Sequence, residues 1–353
     1  MNARSGFVRL LLFMSTLLIT ATACSDTIVE EDASPSELVL MTHDSFALSD
    51  GVLESFTERT GIAVTVLRSG DAGTMLSQAI LTRDNPIADV IFGVDNTFLS
   101  RALQEGVFAE YESPLLESVD PSLVVDPRVT PIDFGDVCVN YDRAAFTDVT
   151  PPETLADLTN PEYKDMLVVQ DPASSSPGLA FLLATISSFG DEGDYNWRRY
   201  WSELKDNGVL VTSGWTEAYQ SAFTAGGGNG DRPIVVSYAS SPAVGVYFTD
   251  PPPEEAPTAS LLEGCFRQVE YAGIVAGSPS PQAAGQLIDH LLSVPVQEDI
   301  PLNMFVYPAN REAAIPDVFT RFSPVPAAPA LVDADIIEQN REKWIDEWTD
   351  ILR

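Results

Sequence analysis

The sequence predicts an α/β protein of two lobes with a cleft between them. Short β-rich runs alternate with helical stretches along most of the chain. Once a leader is set aside, roughly 320 residues remain, enough for two domains of ordinary size. Two further β-rich runs bracket the middle section, as they would if the chain built one lobe, crossed to a second and returned.

The leader comes first. Arg4 and Arg9 flank a basic start, and Leu10 to Thr20 form an apolar run too short for a comfortable membrane span. The small residues Ala21-Thr22-Ala23 then precede Cys24, the layout of a secretory signal over residues 1–23. A cysteine in that place resembles a bacterial lipobox, which makes Cys24 the expected lipid-bearing residue. Ala21 stands where leucine is usual, and plain cleavage near Ala23 is the alternative. Residues 24–37, acidic and free of aromatics over Ser25–Ser36, read as a flexible tether.

From Leu38 the elements follow in order. Leu38–Met41 is a strand, Asp50–Thr60 a helix with Phe56 on its inner face, Ala63–Leu67 a strand and Thr74–Thr82 a helix. Ala88–Phe92 is a strand and Thr97–Glu105 a helix. In the middle section, Met166–Gln170, Val209–Thr212 and Ile234–Ser237 read as strands, and Gly178–Phe189, Tyr195–Asp206 and Thr216–Ala225 as helices. Val137–Tyr141 and Phe266–Ile274 are the bracketing runs. Strands spaced by helices of this length imply a mostly parallel sheet covered on both faces. Residues 38–137 and 270–330 are therefore assigned to lobe 1, 138–269 to lobe 2 with hinge strands at its ends, and 331–353 to a C-terminal helix.

The chain carries a formal charge of −33, and removing residues 1–23 with their two arginines leaves −35. Such a surface repels nucleic acid and anionic lipid, and it concentrates a cationic ligand. Beyond Cys24 there are only Cys138 and Cys265, with no CxxC, and the only histidines are His43 and His290. A cysteine–histidine metal site is not expected. In an oxidising compartment the two cysteines form a plausible disulfide.

Ser176-Pro177, Ser241-Pro242 and Ser280-Pro281 each open a helix, with serine expected as the cap and proline in the first turn. The first two follow strands directly. They are placed where ligands collect in open α/β sheets, with helix N-termini that favour anions.

Several segments taken in order carry a resemblance. Thr42-His43-Asp44-Ser45-Phe46 is followed by Ala88-Asp89-Val90 with Gly93-Val94-Asp95-Asn96, then Gln170-Asp171-Pro172 and Ser175-Ser176-Pro177-Gly178-Leu179. Next come Gly214-Trp215-Thr216-Glu217-Ala218-Tyr219, Ser237-Tyr238-Ala239-Ser240-Ser241-Pro242-Ala243, Tyr307-Pro308-Ala309-Asn310 and Trp344-Ile345-Asp346-Glu347-Trp348. Together they resemble the periplasmic thiamine-binding proteins of ABC transporters, from about Leu38 to the C-terminus. The resemblance implies a two-lobed periplasmic-binding-protein fold of type II, hinged on two crossover strands, with thiamine or a thiamine phosphate in the inter-lobe cleft. It implies an extracytoplasmic monomer, a membrane permease as partner, and no catalytic residue or cofactor. The implied contacts are Asp71 with Ala72, Ser175 with Ser176, Trp215, and Tyr238-Ala239-Ser240-Ser241. Phe305 stands at a family tryptophan and His43 at a family tyrosine. A further family tryptophan has no aromatic counterpart near Ser49-Asp50-Gly51.

The chemistry agrees with that set. A thiazolium cation is held well by electron-rich rings, at about 0.5–2 kcal/mol per cation–π contact. Trp215 and Tyr238 supply such rings, although each could equally pack into its own lobe. Asp71 offers a carboxylate to the amino group or the ring charge, or is simply a helix cap. The serines suit a hydroxyl or phosphate arm. A ferric-ion binder of this architecture usually shows adjacent tyrosines, but here Ala239 follows Tyr238 and no Tyr-Tyr occurs. A polyamine binder would share the acidic surface without explaining the matched segments. A thiaminase-like enzyme would need Cys138 as a thiolate, which requires a base or a lowered pKa.

Overall fold

The computed structural model describes residues 37–353. The leader, Cys24 and nearly all of the tether lie outside the described residues. Among the described residues no helix is long and apolar enough to cross a membrane.

Nine strands form one sheet in the order β2-β1-β3-β8-β4-β7-β5-β6, with β9 paired to β4. The first half holds β1 (Glu37–Thr42), β2 (Ala63–Arg68) and β3 (Val90–Asp95), all parallel. Its helices are α1 (Val52–Thr60), α2 (Ala72–Leu81) and α3 (Leu99–Gln104). The centre is β4 (Thr130–Asp142) lying antiparallel to β8 (Thr258–Ile274). In the second half, β5 (Leu167–Gln170) pairs in parallel with β6 (Leu210–Thr212) and β7 (Ile234–Tyr238). It carries α4 (Ser176–Phe189), α5 (Trp197–Asp206) and α6 (Ser241–Tyr247). Expecting a mostly parallel sheet was right for each lobe and wrong for the centre. A chain that leaves one lobe and returns must run both ways, so β4 and β8 pair antiparallel with each other and with their outer neighbours.

The local causes are plain. Phe56 is the one fully buried residue of α1, and the helix stops at Gly61 in a left-handed conformation, φ 76°. Every residue of β3 is buried, as a strand covered on both faces should be. Asn196 caps α5 by accepting from the amides of Arg198 and Arg199. The Thr216–Ala225 segment is a correction: it forms a π-helical turn over Glu217–Ala222 rather than a regular helix.

Cys138 on β4 and Cys265 on β8 are bonded, with Cα atoms 4.4 Å apart, where the β4–β8 register shifts between Val137 and Val139. The bridge ties the two crossing strands together.

After β8 the chain adds α7 (Pro281–Leu292), α8 (Val294–Asn303), β9 (Tyr307–Pro308), α9 (Asp317–Phe322) and α10 (Ala334–Leu352). Here the lobe assignment by sequence needs correction, because α9 packs on α6 of the second lobe although it falls within 270–330. Helix α10 lies against both lobes. Arg341 sits over the Phe98 ring at the start of α3, 5.8 Å from its centre. Trp348 meets Trp201 of α5 edge to face at 5.4 Å, and Arg198 of α5 pairs with Glu347.

Candidate functional site

A cavity of about 730 Å³ opens between the lobes, within the usual size for a small-molecule site. Lobe 1 contributes His43, Ser45, Arg68 and Asp71 to its lining; lobe 2 contributes Ser176, Trp215, Tyr219, Tyr238, Ser241 and Phe248. Gln268 and Glu270 of β8, with Phe305 after α8, complete it.

The lobes meet at the cavity's edge. Asp71 caps α2 by accepting from the Ala72 amide at 2.7 Å, and its other oxygen accepts from the Trp215 amide of lobe 2 at 2.9 Å. The Gly73 amide donates to the Ser174 carbonyl at 3.0 Å, and the Ser45 and Thr216 hydroxyls are 3.2 Å apart. Gly73 permits this approach: a Cβ there would stand 2.8 Å from the Ala173 carbonyl oxygen and 2.9 Å from that of Ser174. Hydrogen bonds between the lobes thus close this edge of the cavity.

The aromatic wall is built from lobe 2. The Trp215 indole stacks on Tyr219 at 4.9 Å with planes 11° apart, and its N–H donates to Ser237. The offset of four residues within the turn that begins the π-helix sets these rings parallel. Burial pushes the Tyr219 hydroxyl up to about 12. Tyr238 donates its hydroxyl to Gln268 at 3.0 Å, and its ring lies against Gly135 of β4, where a Cβ would meet it at 2.8 Å. Burial, then the nearby Glu270, Asp71, Asp95 and Asp133 charges, hold its hydroxyl well above the usual tyrosine value.

The base is acidic. Asp95, Glu270 and Asp133 are register partners across β3, β8 and β4, so three carboxyls share one rung of the sheet. Like charges directly opposed across strands repel. Burial raises Asp95 to about 7 against the pull of the Thr97 hydroxyl, while burial and then Glu270 raise Asp133 well above the carboxylate range. His43 Nε2 stands 3.5 Å from a Glu270 oxygen, with no hydrogen-bond partner of its own.

Residues 85–347 match the family model described as bacterial extracellular solute-binding protein. The chain belongs to that family. As a solute-binding protein it is similar to the thiamine-binding periplasmic protein of Escherichia coli K12, at 28% identity over 88% of this chain and 92% of that one. It is also similar to the same-named protein of Brucella abortus, at 27% identity with 88% and 91% covered. A solved periplasmic thiamin binding protein superposes with a TM-score of 0.78 at 26% identity, over 90% of this chain and 96% of that one. Iron-bound HitA from Pseudomonas aeruginosa shares the fold alone, with a TM-score of 0.69 at 18% identity.

Within this solute-binding fold, His43, Asp71, Ser176, Trp215, Tyr238, Ser241 and Phe305 line the cavity together. Ala72, Ser175, Ala239 and Ser240, drawn from the same motifs, do not; all four are buried beside it. Ser240 donates to the Phe305 carbonyl, and the Ala239 amide donates to Asp136. The serine-cap expectation also fails as a side-chain effect, because none of the three Ser-Pro helices has a serine hydroxyl capping its first turn. Ser241 instead bonds Ser237 and the Tyr238 amide, and the Ser175 hydroxyl stays without a partner. Sequence reasoning missed Glu270, Gln268 and Tyr219. Phe266–Ile274 read as a strand, but only the register against β3 and β4 shows that Glu270 faces the cavity.

Proposed function

We propose that the protein captures thiamine or a thiamine phosphate outside the cytoplasm and delivers it to the permease of an ABC importer, as a lipoprotein anchored through Cys24 that acts as a monomer without a cofactor. The observation that carries this reading is the cavity's pairing of an aromatic wall with an acidic base, which suits a flat, permanently cationic heterocycle. The similarity to thiamine-binding periplasmic proteins over most of both chains supports it. Isothermal titration with thiamine, its monophosphate and its diphosphate tests it; no binding of any of the three overturns it. The thiaminase-like alternative loses its nucleophile, since Cys138 is bonded to Cys265, buried, and absent from the cavity lining.

Because Tyr219 covers one face of Trp215, a ligand ring meets the other. Trp215→Ala is expected to weaken thiamine by roughly 5–30-fold, as one lost stacking contact of about 1–2 kcal/mol implies. Trp201→Ala, at a buried position whose N–H bonds Thr185, should leave affinity closer to that of the parent. Equal affinities for the parent and Trp215→Ala would reject the stacking role.

The phosphate arm belongs with Ser176. Its hydroxyl is buried at the start of α4, within reach of the Asp95 carboxyl, and the backbone amides and helix dipole there favour an anion. Ser176→Ala should weaken the monophosphate by about tenfold, the worth of one charge-assisted hydrogen bond, and thiamine much less. Equal losses for both ligands would mean the arm points elsewhere.

A further inference from the structure

Glu270 lines the cavity, and two further carboxyls lie buried behind it without lining it themselves. Asp95, Glu270 and Asp133 sit abreast on three adjacent strands, all buried. Asp133 faces Glu270 across the rung, and one oxygen of Asp95 lacks a hydrogen-bond partner. Above them His43 is 8% exposed and lines the cavity, and its unpartnered Nε2 stands beside Glu270.

We propose that His43 and Glu270, set over this carboxyl rung, form a subsite that holds a proton in the ligand-free protein and releases it when an organic cation enters. The exchange rests on the reading of the cavity as a thiamine site. It requires no other reactant: one proton leaves the imidazole for solvent, and the fixed charge of the ligand takes its place beside the Glu270 carboxylate.

The surroundings of His43 support the exchange. Burial alone would lower its pKa, but Glu270 on β8, Asp71 at the start of α2 and Asp44 in its own loop together raise it above the ordinary value. Behind Glu270 stand Asp95 on β3 and Asp133 on β4, and Tyr238 on β7 faces the same acids. Arg68 on β2 is the cation at the cavity wall; it is exposed and donates to the Phe46 carbonyl. The sum around the imidazole is negative, so the ligand-free state favours imidazolium. A cation placed against Glu270 removes that advantage and repels the imidazolium. By linkage, affinity for the cation then rises with pH until His43 is neutral in the free protein.

Two measurements test this on the intact protein. Titration of thiamine calorimetrically at about pH 6, in buffers of different ionisation heat, should show about one proton released per ligand. Affinity should climb by up to about tenfold per pH unit below the His43 pKa, and His43→Gln should abolish the release. The second measurement follows the imidazoles by NMR and does not depend on that variant folding. The chain has only two histidines, and His290, bonded to the Val52 carbonyl away from the cavity, can be removed as His290→Gln to assign the other. His43 should titrate above about 6.5 without ligand and below that with thiamine bound. Thiamine heat without proton release, release that survives in His43→Gln, or a His43 resonance titrating at or below its ordinary value would each overturn the exchange while leaving the ligand standing. No thiamine heat at any pH would overturn the ligand assignment and the exchange with it.

Discussion

Replacing Cys138 and Cys265 together by alanine is expected to destabilise the fold by about 5 kcal/mol and to lower the melting temperature by roughly 5–10 °C. The bridge joins residues 127 apart in sequence, so it removes a large share of the freedom of the unfolded chain. Both cysteines are buried, packed with Ala239, and neither lines the cavity. Alanine therefore adds no polar group to the interior, and the loss reads mainly as chain entropy. Scanning calorimetry of the parent, the reduced parent and the double variant provides the comparison. Melting temperatures within about 2 °C of one another would show that the bridge contributes little.

Gly73→Val is expected to weaken the ligand by roughly 5–150-fold while leaving each lobe folded. The added side chain must enter a gap where even a Cβ lies 2.8–2.9 Å from two carbonyl oxygens of lobe 2. Such overpacking costs about 1–3 kcal/mol; the part set against Ala173 and Ser174 falls on the contact between the lobes, and the part set against the Phe98 ring, 2.8 Å from such a Cβ, falls within lobe 1. The same variant should show a larger radius of gyration in ligand-bound solution scattering than the parent. An unchanged affinity together with an unchanged radius would mean that closure does not bring Gly73 against Ser174.

The contrast between these two sites shows what could be read from the chain. The cysteines announced themselves as a lone pair on two β-rich runs, and their partnership needed no register. Gly73 carried no signal, because its role depends on a carbonyl a hundred residues away in the other lobe. The alternation of strands and helices was legible because burial imposes a period on each element, as at Phe56 and throughout β3. Facing was harder. Ser175 and Ser176 are neighbours at a helix start, and only the observed start of α4 turns Ser176 into the cavity and Ser175 away from it. Tyr219 was hidden because its segment read as an ordinary helix, whereas a π-helical turn follows Trp215. Glu270 sat within a strand whose two faces look alike until β3 and β4 are laid beside it.

The last helix has a mechanical consequence. A clamshell held only by β4 and β8 would swing about one line, but α10 is fastened to Phe98 on one side and Trp201 on the other, on helices that leave the ligand-facing wall to other elements. Opening the mouth must therefore shear this rear strap, sliding one anchorage while the other holds. The ion pair of Arg198 with Glu347 and the Trp201–Trp348 contact act as the catch on one end. If the lobes hinge on β4 and β8, the nineteen residues of α10, none of which lines the cavity, would limit that travel from behind.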